Sequence, residues 1–146
     1  FVGSMTHPVR HEMYGHFRGK TDCFLELKSW SPTVTDDNFY NFISAAMRSK
    51  FLLCPRGYGL NSFRLYEAFQ LKCVPVVITD ELFLPWQDEL DWSKFCVVTG
   101  TSNNIYDLLK SISEQEYNDM LEFGQKIYEE YFTLEGTCKQ ITKRVS

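Results

Sequence analysis

Residues 51–78, FLLCPRGYGLNSFRLYEAFQLKCVPVVI, constrain the fold of this chain more than any other stretch. The apolar run FLLC reads as a buried strand, and PRGYGLNS breaks it with loop residues. Phe63, Leu65, Ala68 and Phe69 then recur at helical spacing, and the β-branched run VPVVIT closes the stretch. Strand, polar loop, helix and strand together form the repeating unit of a parallel α/β sheet. In such sheets ligands settle at the carboxyl ends of the strands, where the next helix turns unpaired N–H groups toward an anion. The loop with Arg56 and Arg64 falls at that position, which points to a phosphate-bearing ligand.

The flanking sequence repeats the alternation. Residues 1–4 read as a strand, Thr6 as an N-cap, Pro8 as a first-turn residue, and the helix that follows runs to about Phe17 and ends at Gly19. Residues 23–27 give a second strand. Asp37 or Asn38 caps a helix with Phe39, Phe42, Ile43, Ala46 and Met47 on its apolar face. Residues 80–94, with Pro85, Trp86 and Trp92, read as an ordered loop with a short helical turn. Residues 95–99 are a fifth strand, and Asn103 or Asn104 caps a helix to about Ile112. Ser113 and Glu116 form the S-x-x-E capping box of a helix that reaches about Phe132, where Gly136 breaks it. An amphipathic stretch to Val145 then packs back on the domain or on a neighbour. The prediction is an α/β fold with residues 1–146 as one domain: a Rossmann-like parallel sheet of about five or six strands, with helices on both faces.

A chain of 146 residues is the size of one domain. Its net charge of −4 argues against a nucleic-acid surface, which needs a basic excess to displace counterions. No run reaches the ~18 apolar residues of a membrane span, so no membrane contact is expected in this segment. Cys23, Cys54, Cys73, Cys96 and Cys138 form no C-x-x-C pair and read as small core hydrophobes, with one disulfide left open. The chain opens abruptly on Phe-Val-Gly, so we expect a piece of a longer protein.

The candidate chemistry lies on the helix after the loop. Arg64 and Glu67 stand at i and i+3, and this stripe starts at the helix N-terminus. A diphosphate there would meet N–H groups near Asn61 and Ser62, the helix dipole, and guanidinium forks from Arg56 and Arg64. Glu67, a turn further in, would accept hydrogen bonds from vicinal ribose hydroxyls. The same spacing also suits a plain surface ion pair, worth about 0.2–0.5 kcal/mol. Gly57 and Gly59 allow close backbone approach to an anion. His7 and His11 form an i, i+4 pair near His16, but no matching carboxylate or Cys spacing follows, so no metal site is expected. Trp86 and Trp92 fit either a stacking wall or a packed loop, and Asp88 with Glu89 fits a solvated turn.

The pattern L-x-x-P-R-G-x-G-x-x-S-F-R-x-x-E-A-x-x-x-x-C-x-P-V-V-I, followed by L-P-W-x-x-x-L-D-W, resembles the exostosin family of glycosyltransferases. The family includes animal heparan sulfate polymerases and many plant cell-wall glycosyltransferases. The matching residues are Leu52, Pro55, Arg56, Gly57, Gly59, Ser62, Phe63, Arg64, Glu67, Ala68, Cys73, Pro75 to Ile78, Leu84 to Trp86 and Leu90 to Trp92. FVGSMTHPVR is similar to the family's F-x-G-x-x-x-x-x-R segment.

The resemblance implies a GT-B enzyme of two domains, of which this chain is most of the second, nucleotide-sugar domain. It also implies an inverting transfer from a nucleotide sugar, usually UDP-linked, without cofactor or metal. The D-x-D motif of the other large glycosyltransferase fold is absent here, where only D-x-x-D occurs at Asp88 and Asp91. Carried over by position, Arg56, Arg64 and Arg10, with Asn61 and Ser62, would hold the diphosphate and Glu67 the ribose. Tyr58, Gly59 and Trp86 would wall the sugar or base. The glycan acceptor and the general base would come through a first domain outside this chain. The compartment expected is the cytoplasm for a microbial or viral source, or the Golgi lumen for a longer, anchored eukaryotic protein. Against this stand a catalytically inactive scaffold of a glycosyltransferase complex and a dehydrogenase-like nucleotide binder. The second is weakened because no G-x-G-x-x-G follows the first strand.

Overall fold

The computed structural model describes residues 1–33, 35–101 and 104–146. Strands and helices alternate along them as β1 (Val2–Gly3), α1 (Pro8–Phe17), β2 (Glu26–Leu27), α2 (Asp36–Met47), β3 (Phe51–Pro55), α3 (Arg64–Gln70) and β4 (Val74–Ile78). After a 3-10 turn at Trp92–Lys94 come β5 (Val97–Thr99), α4 (Ile105–Ser111), α5 (Glu114–Ile127), a π-helical turn at Tyr128–Phe132 and α6 (Leu134–Val145). Every strand pairing is parallel. β4 is buried at all its positions, as a continuous apolar run in a sheet covered on both faces should be. Leu53, Val76, Ile78 and Val97 pack toward α1 and α4. Leu52, Cys54 and Val77 pack on the opposite face with α2, α3 and α5.

One sheet of about five or six strands is not what forms. β1 and β2 make one small sheet and β3, β4 and β5 another. Strand alternation gives the reason. Phe1 O and Gly3 O accept from Glu26 N and Lys28 N at 2.8 and 2.9 Å, so Val2 O and Ser4 O turn to the other edge of β1. There each meets a guanidinium: Arg64 Nη2 donates to Val2 O at 3.2 Å and Arg10 Nη1 to Ser4 O at 2.8 Å. On β3, Lys50 O and Arg56 N bond to β4, which puts Pro55, a residue without an N–H, on the edge facing away from β4. The carbonyls at this edge also accept from Arg10: Arg56 O from Nε at 3.0 Å and Pro55 O from Nη2 at 3.5 Å. Arginine side chains therefore stitch the two sheets together where a ladder was expected.

Smaller departures have local causes. The N-cap of α1 is His7, whose Nδ1 accepts from Val9 N at 3.3 Å, and not Thr6. Thr35, ahead of Asp37, caps α2 through Asn38 N, which places Asp36 and Asp37 in the first turn, where the helix dipole favours them. The face of α2 is rotated with it: Phe42, Ala45 and Ala46 are buried, while Phe39 and Met47 are exposed. Asn104 caps α4 through Asp107 N, and Asn103 lies outside the described residues. The Ser113–Glu116 capping box is present as expected.

Gly136 does not break the helix before it. The chain turns at Thr133, whose Oγ1 then caps α6 by accepting from Gly136 N at 3.0 Å. A Cβ on Gly136 would stand 2.5 Å from Glu130 O and 2.6 Å from Glu129 O, so that position is glycine because α6 crosses the π turn there. α6 packs back on the domain, where Arg144 pairs with Glu89 and Asp88 and lies 4.6 Å over the Trp86 ring. All five cysteines are free thiols, with Cys54, Cys73 and Cys96 buried.

Candidate functional site

A cleft of about 670 Å³ opens at the carboxyl ends of β1, β2 and β3, where the stitched sheets part. The β3–α3 loop forms one wall with Gly57, Tyr58, Gly59, Asn61 and Ser62, and Arg64 and Glu67 of α3 lie at its base. Arg10, in the first turn of α1, reaches in from the side. Eight of the residues singled out in the sequence thus share one cavity: Arg10, Gly57, Tyr58, Gly59, Asn61, Ser62, Arg64 and Glu67. The structure adds Trp30, Phe39 and Phe42, which sequence reasoning missed as wall residues because they come from the β2–α2 loop and α2, far along the chain.

Arg64 and Glu67 are partly buried and form the i, i+3 ion pair that their spacing allows. The guanidinium also lies 3.7 Å over the Phe42 ring and donates to Val2 O, so the fork is fixed in orientation with N–H donors to spare. α3 begins at Arg64, two residues later than expected, with Phe63 as its N-cap and the turn before it closed by Ser62, whose Oγ accepts from Arg64 N at 3.3 Å and whose O accepts from Leu65 N at 3.0 Å. Among the described residues the N–H groups of Asn61, Ser62 and Phe63 meet no acceptor in the chain. They are among the donors that this loop still offers.

Arg10 performs the stitching described above. Burial, and then the neighbouring Arg64 charge, lower its pKa from the ordinary guanidinium value. A Cβ on Gly57 would lie 2.8 Å from Arg10 Nη2, so this glycine makes room for an arginine of the protein itself. Arg56 does not line the cleft. Its side chain is largely buried and pairs with Asp80 at 2.7 Å, beyond the end of β4, with Nε buried and unpartnered among the described residues. The Arg56 hydrogen bond is the main cause that holds the Asp80 carboxyl below the usual carboxylate range.

Trp86 lies elsewhere too. It packs edge-on against Tyr131 at 5.9 Å beneath Arg144, with a backbone φ of 56°. Trp92 is core, its Nε1 donating to Pro85 O at 3.1 Å. The histidines are apart in role: His7 caps α1, His11 is exposed, and His16 Nε2 is 2.8 Å from Thr101 O. No group of three or more metal-ligating side chains gathers among the described residues, and no helix there is long and apolar enough to cross a membrane. A second cavity, of about 390 Å³, opens at the amino ends of the strands between Phe51, Tyr106 and Tyr117, away from every candidate residue.

Residues 1–115 match the exostosin GT47 domain, which covers the strands and the whole cleft. A probable glycosyltransferase of Arabidopsis thaliana is 31% identical over 119 residues, 80% of this chain and 24% of the relative. The exostosin-1 homolog of Caenorhabditis elegans is 36% identical over 85 residues, 57% of this chain and 22% of the relative. Exostosin-2 of Homo sapiens is 30% identical over 95 residues, 64% of this chain and 13% of the relative. The chain thus spans about a quarter or less of the length of these relatives.

Proposed function

This chain belongs to the exostosin GT47 family of glycosyltransferases, and from that premise we propose that it is the donor domain of an inverting, metal-independent enzyme that uses a nucleotide sugar, with UDP as the nucleotide. The observation that carries this reading is the cleft at the carboxyl ends of β1 to β3, with Arg64 and Glu67 at its base and unpaired loop N–H groups beside them. In this reading a diphosphate takes the spare donors of Arg64 and the N–H groups of residues 61–63, and Glu67 turns from Arg64 to the ribose hydroxyls. Charge that grows on the departing diphosphate is stabilised by donors already in place, without a metal. Tyr58 and Gly59 stand beside the sugar or base. Arg10 and Arg56 support the loop rather than lead the binding, and Trp86 falls outside the ligand's reach. The acceptor and the general base come from a further domain.

The test is calorimetric titration with UDP, with and without magnesium. Saturable binding that is independent of magnesium and weakened by Glu67→Ala is the expected outcome. Absence of nucleoside-diphosphate binding by folded protein would overturn the reading. One observation favours an inactive scaffold instead: Arg10, Arg56 and Arg64 each already bond to the protein itself. The same titration separates the two, since a scaffold gives no heat of binding.

A further inference from the structure

The cavity at the amino ends of the strands takes no part in the reaction proposed above, yet it is more than a packing gap. Its floor is the core itself, formed by Phe17, Leu53, Leu109 and Ile112. Phe24, Phe51, Tyr106 and Tyr117 give it aromatic walls. Two of these rings are braced edge-on, Tyr106 by Phe17 at 6.3 Å and Tyr117 by Phe51 at 5.5 Å, which fixes their orientation. A volume of about 390 Å³ is that of a small-ligand pocket and far more than a trapped water needs.

The rim is cationic. Arg48, Lys50 and Lys110 line it against one carboxylate, Asp22, although the whole chain carries a net charge of −4. Lys50 pairs with Glu114, and Lys110 with Asp22 at 3.1 Å, but all four side chains are exposed, and such pairs are weak enough to open toward a ligand. Arg48, the C-cap of α2, uses Nε on Ser44 O at 3.1 Å, and among the described residues its Nη groups meet no acceptor. Helix C-termini also attract cations, and Arg48 and Lys110 stand at those of α2 and α4. That role calls for no cavity and no aromatic walls, it leaves the Arg48 fork open, and Lys50 stands on neither helix. A ring with an acid group matches both halves of the site, offering flat apolar faces to the walls and a carboxylate to the guanidinium fork.

We propose that this cavity binds a small aromatic carboxylate, its ring against Tyr106 and Tyr117 and its acid group on Arg48 and Lys50. The site lies at the opposite end of β3 from the cleft, so occupancy of one leaves the other open, and nothing in it depends on a donor in the cleft. The probes are 2-naphthoate, its neutral counterpart 2-naphthamide and the cation 2-naphthylmethylammonium, titrated into the whole chain by calorimetry, with and without UDP.

Saturable binding of naphthoate is expected, several-fold tighter than that of the amide and unchanged by UDP. Arg48→Gln together with Lys50→Gln should weaken naphthoate by roughly tenfold and leave the amide as it was, so that the preference for the acid disappears. Tyr117→Leu should weaken acid and amide alike, by roughly threefold, the worth of one ring contact. Arg48 and Lys50 are exposed, so their double variant should melt near wild type and keeps the test decisive even where Tyr117→Leu unfolds. Absence of saturable naphthoate binding overturns the proposal, as does equal affinity for the amide, tighter binding of the ammonium, or naphthoate affinity undiminished in the double variant. Displacement by UDP places the ring in the cleft and overturns it too. A failed UDP titration with intact naphthoate binding sinks the donor reading alone.

Discussion

The two ends of the three-stranded sheet are held by different physics. Toward β5, on the face that α3 and α5 cover, the 3-10 turn and α5 close over an aromatic core in which Phe69 stacks on Phe132 at 6.0 Å and Trp92 lies 4.9 Å from Phe95. Such contacts depend on area and shape, and many rings share them. Before β3, the small sheet is attached both by directed bonds from Arg10 and Arg64 to backbone carbonyls and by side-chain packing from Phe1 and Val2. A packed edge resists opening everywhere at once, whereas an edge stitched by a few guanidinium forks can part locally. The ligand cleft lies on the stitched side.

Substitutions can break or sharpen this contrast. Phe69→Ala removes a fully buried ring from the packed side and should cost about 3–5 kcal/mol by urea unfolding, lowering protection from hydrogen exchange throughout β3 to β5. Arg10→Ala should cost about 2–3 kcal/mol, with exchange in residues 1–27 accelerated selectively while β4 stays protected. Uniform loss across both sheets would erase the distinction drawn here. Gly57→Ala places a methyl against the far end of the same guanidinium, and because that end can shift, about 1–2 kcal/mol is expected, with the same regional pattern.

The smallest effect is electrostatic and exposed. The carboxyls of Asp80 and Asp88 are held below the usual carboxylate range, chiefly by hydrogen bonds from Arg56 and Arg144. Their contribution is therefore present above the unfolded value, near pH ~4, and is lost as pH falls through the depressed folded values. Urea midpoints measured between neutral and strongly acid pH should fall less steeply in the Asp80→Asn, Asp88→Asn double variant than in wild type, and high salt should shrink the difference.

Legibility from the sequence follows the same divide. The β3–loop–α3–β4 unit was readable because strands buried on both faces leave unbroken apolar runs, and the capping box of α5 because its partners are neighbours in sequence. The Arg64–Glu67 stripe was readable for the same local reason. The seam was not, since the direction in which Val2 O points depends on which edge β2 occupies, and the acceptors of Arg10 are carbonyls that carry no residue signature. Arg56 misled for a related reason: a place beside an anion loop does not fix where the side chain turns, and Asp80 claims it. Trp30 and Phe39 reach the cleft only through tertiary folding, so no pattern announced them.

The π turn at Tyr128–Phe132 holds one residue more than ordinary α-helix needs to reach the same point. Thr133 N bonds back five residues to Tyr128 O at 3.1 Å, one residue more than an α-helix takes up in the same span. Were the same residues to wind as ordinary α-helix, with each N–H bonding one residue nearer, everything after the turn would rotate by about 100°. Arg144 would then swing off Asp88 and Glu89, and Gly136 would no longer meet the carbonyls of Glu129 and Glu130. Among variants of this chain, loss of one residue within the turn, which lets α-helix reach nearly the same orientation, should be better tolerated than loss of one residue from α5 before it.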